Sequence, residues 1–374
     1  MQASSKTVRE HSALVVLWLL AWLSVADIAV NLLFGPDASL SRTFSLQRYF
    51  EYGRSVEGKL DRKLAADPNT RGNILSAGWI DPSLLAKLPA RAQDGADLLV
   101  AAYGQSFTLN AMNEAAAIDS HITIRPFGGP GAPPGHTYAA YKADAPFRQA
   151  PVVVFGILSS SVGQMGSMSG LIWLFESPAP FTFPRYRLDG DRLTEELPII
   201  RSEAEFRDAF GRRSSAWQDF KTQLKRSDIG YDAFTFEKTP ADSSSIVRLI
   251  RRGWVAHRQA YDTEVYTPGE GFNPDAEQVR TLKAMLVDLG RQTRARGERL
   301  IVLLLHSRGH ADHLHTALQD VLAQERIDYL STHMFFSADD PQNFLRDGHY
   351  VAAANSKLSR ALLQKIRNVG ESRR

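Results

Sequence analysis

The sequence contains no cysteine. Disulfide bonds, thiolate metal sites and cysteine nucleophiles are therefore excluded. Excess charge is also small, because 44 Lys and Arg residues stand against 41 Asp and Glu residues, a formal net charge of +3. Several of the basic residues lie in the terminal segments, so we expect no dense basic face of the kind that binds nucleic acid. Low-complexity tracts and internal repeats are missing too, which leaves a chain of ordinary globular composition.

One long apolar run is present, over residues 12–34, and Asp27 is its only charged residue. About 20 apolar residues suffice to cross a bilayer as a helix. Lys6 and Arg9 precede the run, so the positive-inside rule puts the N-terminus in the cytoplasm. We expect a single-pass anchor in the inner membrane, with the rest of the chain facing the periplasm or exterior. A cleaved signal peptide and a buried helix of a soluble domain are the alternatives. Asp27, costly in lipid, either lies near the outer interface or meets a partner helix.

Changes in composition predict the domain organisation. From residue 97 onward, short apolar runs alternate with amphipathic helical stretches, whereas Pro, Gly and charged residues interrupt the middle of the chain. The predicted segments are a cytoplasmic tail (1–11), the transmembrane anchor (12–34), a membrane-proximal helical arm (35–96), an α/β domain (97–367) with an insertion near 177–260, and a disordered tail (368–374).

The apolar runs of the α/β domain predict a parallel sheet. The predicted strands are "DLLVAAYG", "HITIRPFG", "APVVVFGIL", "RLIVLLLH" and, more weakly, "RIDYLST". Near-continuous apolar strands separated by helices are typical of a parallel sheet that is covered on both faces. Reactive groups in such sheets collect at the carboxyl ends of the strands.

Polar and glycine residues follow three of these strands. Ser106 comes after the first strand, where it either caps a helix or exposes its hydroxyl and backbone amide for chemistry. Gly131 lies in a Pro/Gly-rich stretch after the second strand, where it either offers an amide to an oxyanion or belongs to an ordinary loop. Ser160 follows the third strand and carries a side-chain donor.

Asp347 and His349 stand two residues apart before the last predicted helix. His349 could accept the proton of a serine, and Asp347 could orient the imidazole. A surface Asp-Gly turn with an incidental histidine is the alternative. Ser106, the glycine loop, the polar loop and this pair occur in one order along the chain, which favours serine-dependent acyl chemistry over coincidence.

The order of blocks resembles the SGNH superfamily of GDSL-type esterases and acyltransferases. "YGQSFT" resembles its Gly-Asp-Ser block, "FGGPGAPPGHTYAAY" its glycine loop, "VVVFGILSSSV" its third block and "RDGHY" its terminal Asp/His block. The last of these resembles the membrane-linked branch of alginate-type O-acetyltransferases. The resemblance covers roughly residues 95–367. It implies a three-layer α/β/α, flavodoxin-like fold with a central parallel sheet.

The resemblance implies site residues and a reaction. Ser106 would be the nucleophile, His349 the base and Asp347 the orienting carboxylate, and the oxyanion would be held by Ser106, Gly131 and Ser160. The implied substrate is a small acyl ester or a glycan, with O-acetyl transfer to or from an envelope or exported polysaccharide. A membrane-bound acyl-donor protein is an implied partner, and the mechanism needs no cofactor or metal.

The sequence departs from the family pattern at three blocks, and in the last of them one residue fewer stands between Asp347 and His349 than in the family's Asp-x-x-His. Gln105 stands in place of the aspartate of the first block, and Ser160 and Ser161 in place of the asparagine and aspartate of the third. Loss of an oxyanion donor costs about 10²–10³ in rate. A catalytically degenerate glycan-binding or scaffold subunit of a polysaccharide export system is therefore the alternative.

Two further groups of residues lie near strand ends. Gln105, His306 and Arg308 are candidates to line a substrate cleft. The histidines of "HSRGHADHLH", residues 306–315, are either part of a polar loop or the zinc ligands of a metal-dependent hydrolase, which would need at least three ligands. Trp79, Trp173 and Trp254 fit an aromatic core better than sugar stacking.

Overall fold

A computed structural model describes residues 2–34, 49–65, 74–93, 95–260 and 264–371, with side chains over 9–33, 49–65, 74–93, 95–258 and 264–368. Parts of the predicted cytoplasmic tail, helical arm and C-terminal tail lie outside the described residues. The α-helices are α1 (Gln2–Phe34), α2 (Val56–Ala65), α3 (Pro82–Leu85), α4 (Ser106–Ile118), α5 (Pro134–Asp144), α6 (Gly170–Trp173), α7 (Glu203–Gly211), α8 (Ser215–Ser227), α9 (Ala233–Phe236), α10 (Ser245–Ala260), α11 (Glu277–Ala295), α12 (His313–Gln324) and α13 (Ala352–Glu371). The strands are β1 (Leu98–Tyr103), β2 (Ile122–Phe127), β3 (Val152–Leu158), β4 (Arg185–Asp189), β5 (Arg192–Glu196), β6 (Tyr266–Thr267), β7 (Gly271–Phe272), β8 (Arg299–Leu305) and β9 (Asp328–Ser331).

The chain divides into two compact units. The first unit comprises Met1–Thr70, Phe175–Pro178 and Tyr231–Tyr261, and the second comprises Arg71–Leu174, Ala179–Gly230 and Asp262–Arg374. The division differs from two predicted boundaries. The arm predicted over 35–96 is split between the units, and so is the insertion predicted near 177–260. The physical reason for the second difference is packing, because helix α10 contacts α1 whereas strand β4 contacts α11.

Five parallel strands form the central sheet of the second unit, in the order β2–β1–β3–β8–β9. This order is the 2-1-3-4-5 arrangement of flavodoxin-like sheets. Strand β3 is buried along its whole length, and β1 and β8 are buried except at their first residues. Burial on both faces explains why these segments are near-continuous apolar runs. All five predicted strands are present.

Helices cover both faces of the sheet. On one face α4 and α13 pack against each other, with Met112, Ala115, Leu358 and Leu362 in a shared core. On the other face α5 contacts β1 and β3, and α11 contacts both α5 and β8. The predicted three-layer α/β/α class with a central parallel sheet is confirmed. The last helix, α13, continues to Glu371 and so extends into the segment predicted as a disordered tail.

Helix α1 contains the predicted apolar run. Its stretch Arg9–Leu33 is long and apolar enough to cross a membrane, with a mean hydropathy of 2.3. Large apolar side chains such as Leu17, Trp18 and Trp22 are exposed along it. This is the side-chain distribution that a helix in contact with lipid shows.

Candidate active site

Ser106 is the first residue of α4 and follows strand β1 after two residues. The N-cap position is Gln105, whose side chain makes no capping hydrogen bond. The exposed Ser106 hydroxyl is therefore not the helix cap, and the capping interpretation of this serine is wrong. Its oxygen instead lies 2.7 Å from His349 Nε2.

Two glycines let the first turn of α4 sit against the sheet. A Cβ at Gly104 or at Gly156 would overlap the Thr108 side chain. Because both glycines lack a Cβ, Thr108 packs between β1 and β3, and the start of the helix is held directly above the strand ends. This close packing fixes the position from which Ser106 projects.

The turn that carries His349 is held by its own backbone. Leu345 N donates to His349 O at 2.7 Å, and Gly348, with φ of +88°, occupies the left-handed region that glycine tolerates best. Asp347 Oδ1 accepts from His349 N at 3.1 Å, while Asp347 Oδ2 lies 3.2 Å from His349 Nδ1. The carboxylate thus contacts both the backbone and the ring of the same histidine.

Aromatic rings pack against the imidazole of His349 and against each other. Phe107 stacks on His349 with ring centroids 4.7 Å apart and planes 19° apart. Tyr350 meets Phe107 edge-on at 4.9 Å, and its hydroxyl donates to His306 O at 2.9 Å. Phe107 and Tyr350 were not among the predicted site residues. Sequence marks them only as neighbours of Ser106 and His349.

The pair of Asp347 and His349 is accessible to solvent. Their side chains are 65% and 31% exposed, respectively. The hydrogen bond from the His349 amide is the main cause that holds the pKa of the Asp347 carboxyl below its ordinary value. The carboxylate is therefore ionised at neutral pH and can accept a hydrogen bond from a protonated His349 Nδ1.

The N-terminus of α4 adds positive electrostatic potential near Ser106. The first backbone amides of a helix have no partner in its hydrogen-bond ladder, and the helix dipole concentrates partial positive charge there. Ser106 is followed by a helix of 13 residues, long enough for the effect. The oxyanion that forms on the carbonyl oxygen of an acyl group attacked by Ser106 Oγ would lie near this helix end.

The two other predicted oxyanion residues make different contacts. Gly131 has φ of +57° and lies against Leu174 and Trp173, whose Nε1 a Cβ on Gly131 would approach to 3.3 Å. Ser160 Oγ accepts from Ser307 Oγ at 2.8 Å, and Ser160 N donates to Ser307 Oγ at 3.3 Å. Ser307 thereby ties the loop after β3 to the loop after β8. The roles of Gly131 and Ser160 remain predictions.

The three predicted cleft residues are placed differently. Gln105 is buried and its Nε2 donates to Ala132 O at 3.5 Å, which links the loop after β1 to the glycine loop. Arg308 is exposed. His306 has no exposed surface, so its predicted position in an open cleft is wrong. The reason is that the chain beyond β9 covers it, with Thr332 Oγ1 3.0 Å from His306 Nδ1.

The histidines of residues 306–315 lie in two places, with His310 and His313 at Tyr266 and with His306 and His315 at His333. His310 stacks on Tyr266 at 4.2 Å, His313 Nδ1 lies 3.0 Å from the Tyr266 hydroxyl, and His315 Nε2 lies 3.1 Å from the Tyr329 hydroxyl. Across the described part of the chain, no group of three or more His, Asp or Glu side chains has the arrangement of a metal site. The cluster therefore gives no structural support to the metal-dependent alternative.

Comparison with known proteins adds a structural likeness. No protein-family model and no curated protein matches the sequence. Among solved structures, the chain is similar to a Bacteroides fragilis protein described as a "putative acylhydrolase", with 9% identity, a TM-score of 0.39, and coverage of 78% of this chain and 95% of that chain. A likeness of this extent does not bear on function, which has to be argued from the site itself.

Proposed function

We propose that the protein is a serine-dependent esterase or O-acyltransferase in which Ser106, His349 and Asp347 act together. The observation that carries the proposal is the 2.7 Å contact between Ser106 Oγ and His349 Nε2, at an exposed strand end. A nucleophile and its base must lie within hydrogen-bond reach, with the base oriented by a third group. Asp347 supplies the third contact at 3.2 Å.

The reaction proceeds through an acyl-enzyme. His349 Nε2 accepts the proton of Ser106 while Oγ attacks the ester carbonyl, and Asp347 stabilises the imidazolium that forms. The leaving alcohol departs with the proton returned by His349, and the acyl group stays on Oγ. Water or an acceptor hydroxyl then gives its proton to His349, takes the acyl group and restores the serine. No cofactor is required at any step.

The α4 N-terminus supports the developing oxyanion. The Ser106 amide lies at that helix end, where the dipole favours negative charge. We assign Gly131 and Ser160 as further donors on the sequence resemblance alone. Since a single oxyanion donor is worth about 10²–10³ in rate, Ser160→Ala measures the share of the Ser160 hydroxyl.

The acceptor determines whether the protein hydrolyses esters or transfers acyl groups. We propose O-acetyl transfer to or from an envelope or exported polysaccharide, supported by the resemblance of "RDGHY" and by an N-terminal helix apolar enough to cross a membrane. A membrane-bound acyl donor would supply the acetyl group. The partition between water and a glycan hydroxyl is measurable by adding oligosaccharide acceptors and weighing the products by mass spectrometry.

Hydrolysis of 4-nitrophenyl acetate by the full-length protein in detergent tests the proposal. We expect Ser106→Ala to lower kcat by at least about 10³-fold, because the nucleophile is removed. Ser120→Ala, exposed and two residues beyond the last residue of the same helix, serves as the matched control and should retain wild-type activity. Equal activity of wild type and Ser106→Ala would refute the nucleophile.

A catalytically degenerate glycan-binding subunit is the second candidate. It is favoured by Ser160, because a serine hydroxyl reaches less far than the amide of the asparagine that the resembled family has at this position. This candidate predicts no turnover of acyl esters by the wild type, together with glycan binding that Ser106→Ala leaves unchanged.

A further inference from the structure

Helix α10 in the first unit has its polar and apolar faces reversed relative to a soluble helix. Arg248 and Arg251 point inward, with side chains 3% and 1% exposed. Leu249, Ile250 and Trp254 point outward and are 38%, 58% and 45% exposed. Ile250 and Trp254 are four residues apart and therefore lie on one side of the helix, and Leu249 flanks them. Trp254 is thus not the core residue that the sequence favoured.

Ion pairs fix the reversed orientation. Arg248 Nη1 lies 2.7 Å from Glu51 Oε1, and Arg251 Nη1 lies 2.7 Å from Asp242 Oδ1. Arg251 Nη1 also donates to Gly53 O at 3.1 Å. Removing a buried guanidinium from such partners leaves uncompensated charge. The helix therefore cannot simply rotate about its axis to bury its apolar side.

The start of α10 is joined to the predicted anchor, α1. Asp27 Oδ1 accepts from Ile246 N at 3.0 Å and so caps α10. Asn31 Oδ1 accepts from Ser245 Oγ at 2.9 Å and from Arg248 Nη2 at 2.6 Å. The charge inside the apolar run therefore meets a partner helix, one of the two alternatives that the sequence left open.

The position of Asp27 along α1 sets the depth of this junction. At 1.5 Å per residue, Arg9 and Asp27 are about 27 Å apart along the helix axis. The hydrocarbon core of a bilayer is about 30 Å thick. With Arg9 at one interface, Asp27 and the N-terminus of α10 fall close to the other.

We propose that the outward face of α10, defined by Leu249, Ile250 and Trp254, lies in the headgroup region of the same bilayer that α1 spans. Within the described residues nothing covers this face. Its occupant is argued from continuity with α1, because the bonds at Asp27 and Asn31 hold the helix at the membrane end of the first unit. A half-exposed tryptophan beside aliphatic residues is typical of a helix that lies on a lipid surface.

Site-directed spin labelling of the full-length protein in phospholipid vesicles tests this placement. Because the chain has no cysteine, each substitution gives a single labelling site. The test position is Ile250→Cys. Leu17→Cys, exposed in the middle of α1, serves as the lipid control, and Asp320→Cys, exposed on α12, as the water control. Electron paramagnetic resonance then compares collisions of each label with oxygen, which concentrates in lipid, and with a water-soluble nickel chelate.

We expect the ratio of oxygen to chelate collisions at 250 to lie clearly above that at 320 and below that at 17, because the headgroup region lies between water and the hydrocarbon core. A label at 250 that resembles the label at 320 would overturn the proposal, because the face would then be in water. Protection from both reagents would overturn it as well, since a second copy, a partner protein or another segment of this chain would be the cover. A label at 17 that reports water would remove the anchor and with it the proposal.

The test does not depend on one variant or on the proposed activity. Trp254→Cys occupies the same face and should give the same result if Ile250→Cys fails to fold. Circular dichroism checks folding of each labelled protein. Because the readout is lipid exposure, it stays informative even if Ser106 proves not to be a nucleophile.

Discussion

Two imidazole–hydroxyl pairs lie at the same edge of the sheet. They share a short contact between the two groups but differ in exposure and in the partner of the second ring nitrogen. His349 Nε2 lies 2.7 Å from Ser106 Oγ after β1, and His306 Nδ1 lies 3.0 Å from Thr332 Oγ1 after β8. The first histidine is 31% exposed and has a carboxylate on its other ring nitrogen. The second is fully buried, and its Nε2 makes no hydrogen bond to a side chain of the described residues.

The difference teaches that a histidine beside a hydroxyl is not by itself a catalytic pair. Burial lowers the pKa of His306 to about 4, so this ring stays neutral at physiological pH and has no route to a substrate. His349 has access, an orienting carboxylate and an exposed serine. We therefore assign a catalytic role to the residues after β1 and a structural role to His306 after β8.

Removing each imidazole should give the largest contrast. We expect His349→Ala to lower kcat for 4-nitrophenyl acetate by about 10²–10⁴-fold, because the general base is lost. His306→Asn should keep kcat within a few-fold of wild type but lower the melting temperature, because it disturbs a buried hydrogen-bonded site. Steady-state kinetics and thermal unfolding measure both variants. Comparable loss of kcat in the two would erase the distinction.

Asp347 should matter less than a buried triad carboxylate. Because its side chain is 65% exposed, solvent screens its interaction with the imidazole. We expect Asp347→Asn to lower kcat about tenfold, against the about 10⁴-fold loss found for a buried carboxylate. Asp339→Asn, an exposed carboxylate nearby in sequence, is the control and should leave kcat unchanged. A 10⁴-fold loss in Asp347→Asn would mean that substrate binding buries the pair.

Phe107 should act as a positioning residue for His349. An aromatic stack contributes about 0.5–1.5 kcal/mol, so we expect Phe107→Leu to lower kcat by about 2–10-fold with KM unchanged. Phe336→Leu is the matched control, because Phe336 meets Tyr350 edge-on at 4.9 Å without stacking on His349. It should lower stability and spare kcat. A rise in KM for Phe107→Leu would instead indicate substrate contact.

The smallest expected effect is the contribution of buried His306 to the pH dependence of stability. His306 has a pKa of about 4 when folded and near 6.5 when unfolded, so the unfolded chain binds more protons between these values. The free energy of unfolding therefore falls as pH falls from 6.5 to 4. Burial also lowers the pKa of His136 and His310 to about 4, so they contribute in the same direction.

The variant His306→Asn measures how much His306 contributes to the change in the free energy of unfolding with pH. Urea unfolding at pH 4.5, 5.5 and 7 should show a shallower loss of stability with acidification than wild type shows. An unchanged slope would mean that His306 is protonated in the folded protein.

The fold was predictable because the sheet is buried on both faces. Runs such as Val152–Leu158 are apolar at every position, and a run of that short length with β-branched residues is typical of a strand covered on both faces. The division of the middle segment was not predictable, since it depends on Asp27 capping a helix that begins at Ser245, more than 200 positions away.

The candidate site was predictable in its reactive groups and not in its supports. Ser106, Asp347 and His349 were chosen by residue type and order, which sequence shows. The stack of Phe107, the link through Ser307 and the burial of His306 depend on neighbouring loops. The apolar run that ends at His306 and the apolar run before Ser106 have a similar apolar composition. Sequence alone therefore could not show that the first strand end is buried and the second is exposed.

Trapping the acyl-enzyme tests the central claim most directly. The full-length protein would be incubated briefly with 4-nitrophenyl acetate, quenched in acid and digested, and the peptide that contains Ser106 analysed by mass spectrometry. We expect an acetyl group on Ser106 in the wild type and in His306→Asn, and a strongly reduced amount in His349→Ala. Ester turnover with no acetyl group on Ser106, or with the acetyl group on another residue, would contradict the assignment of this site.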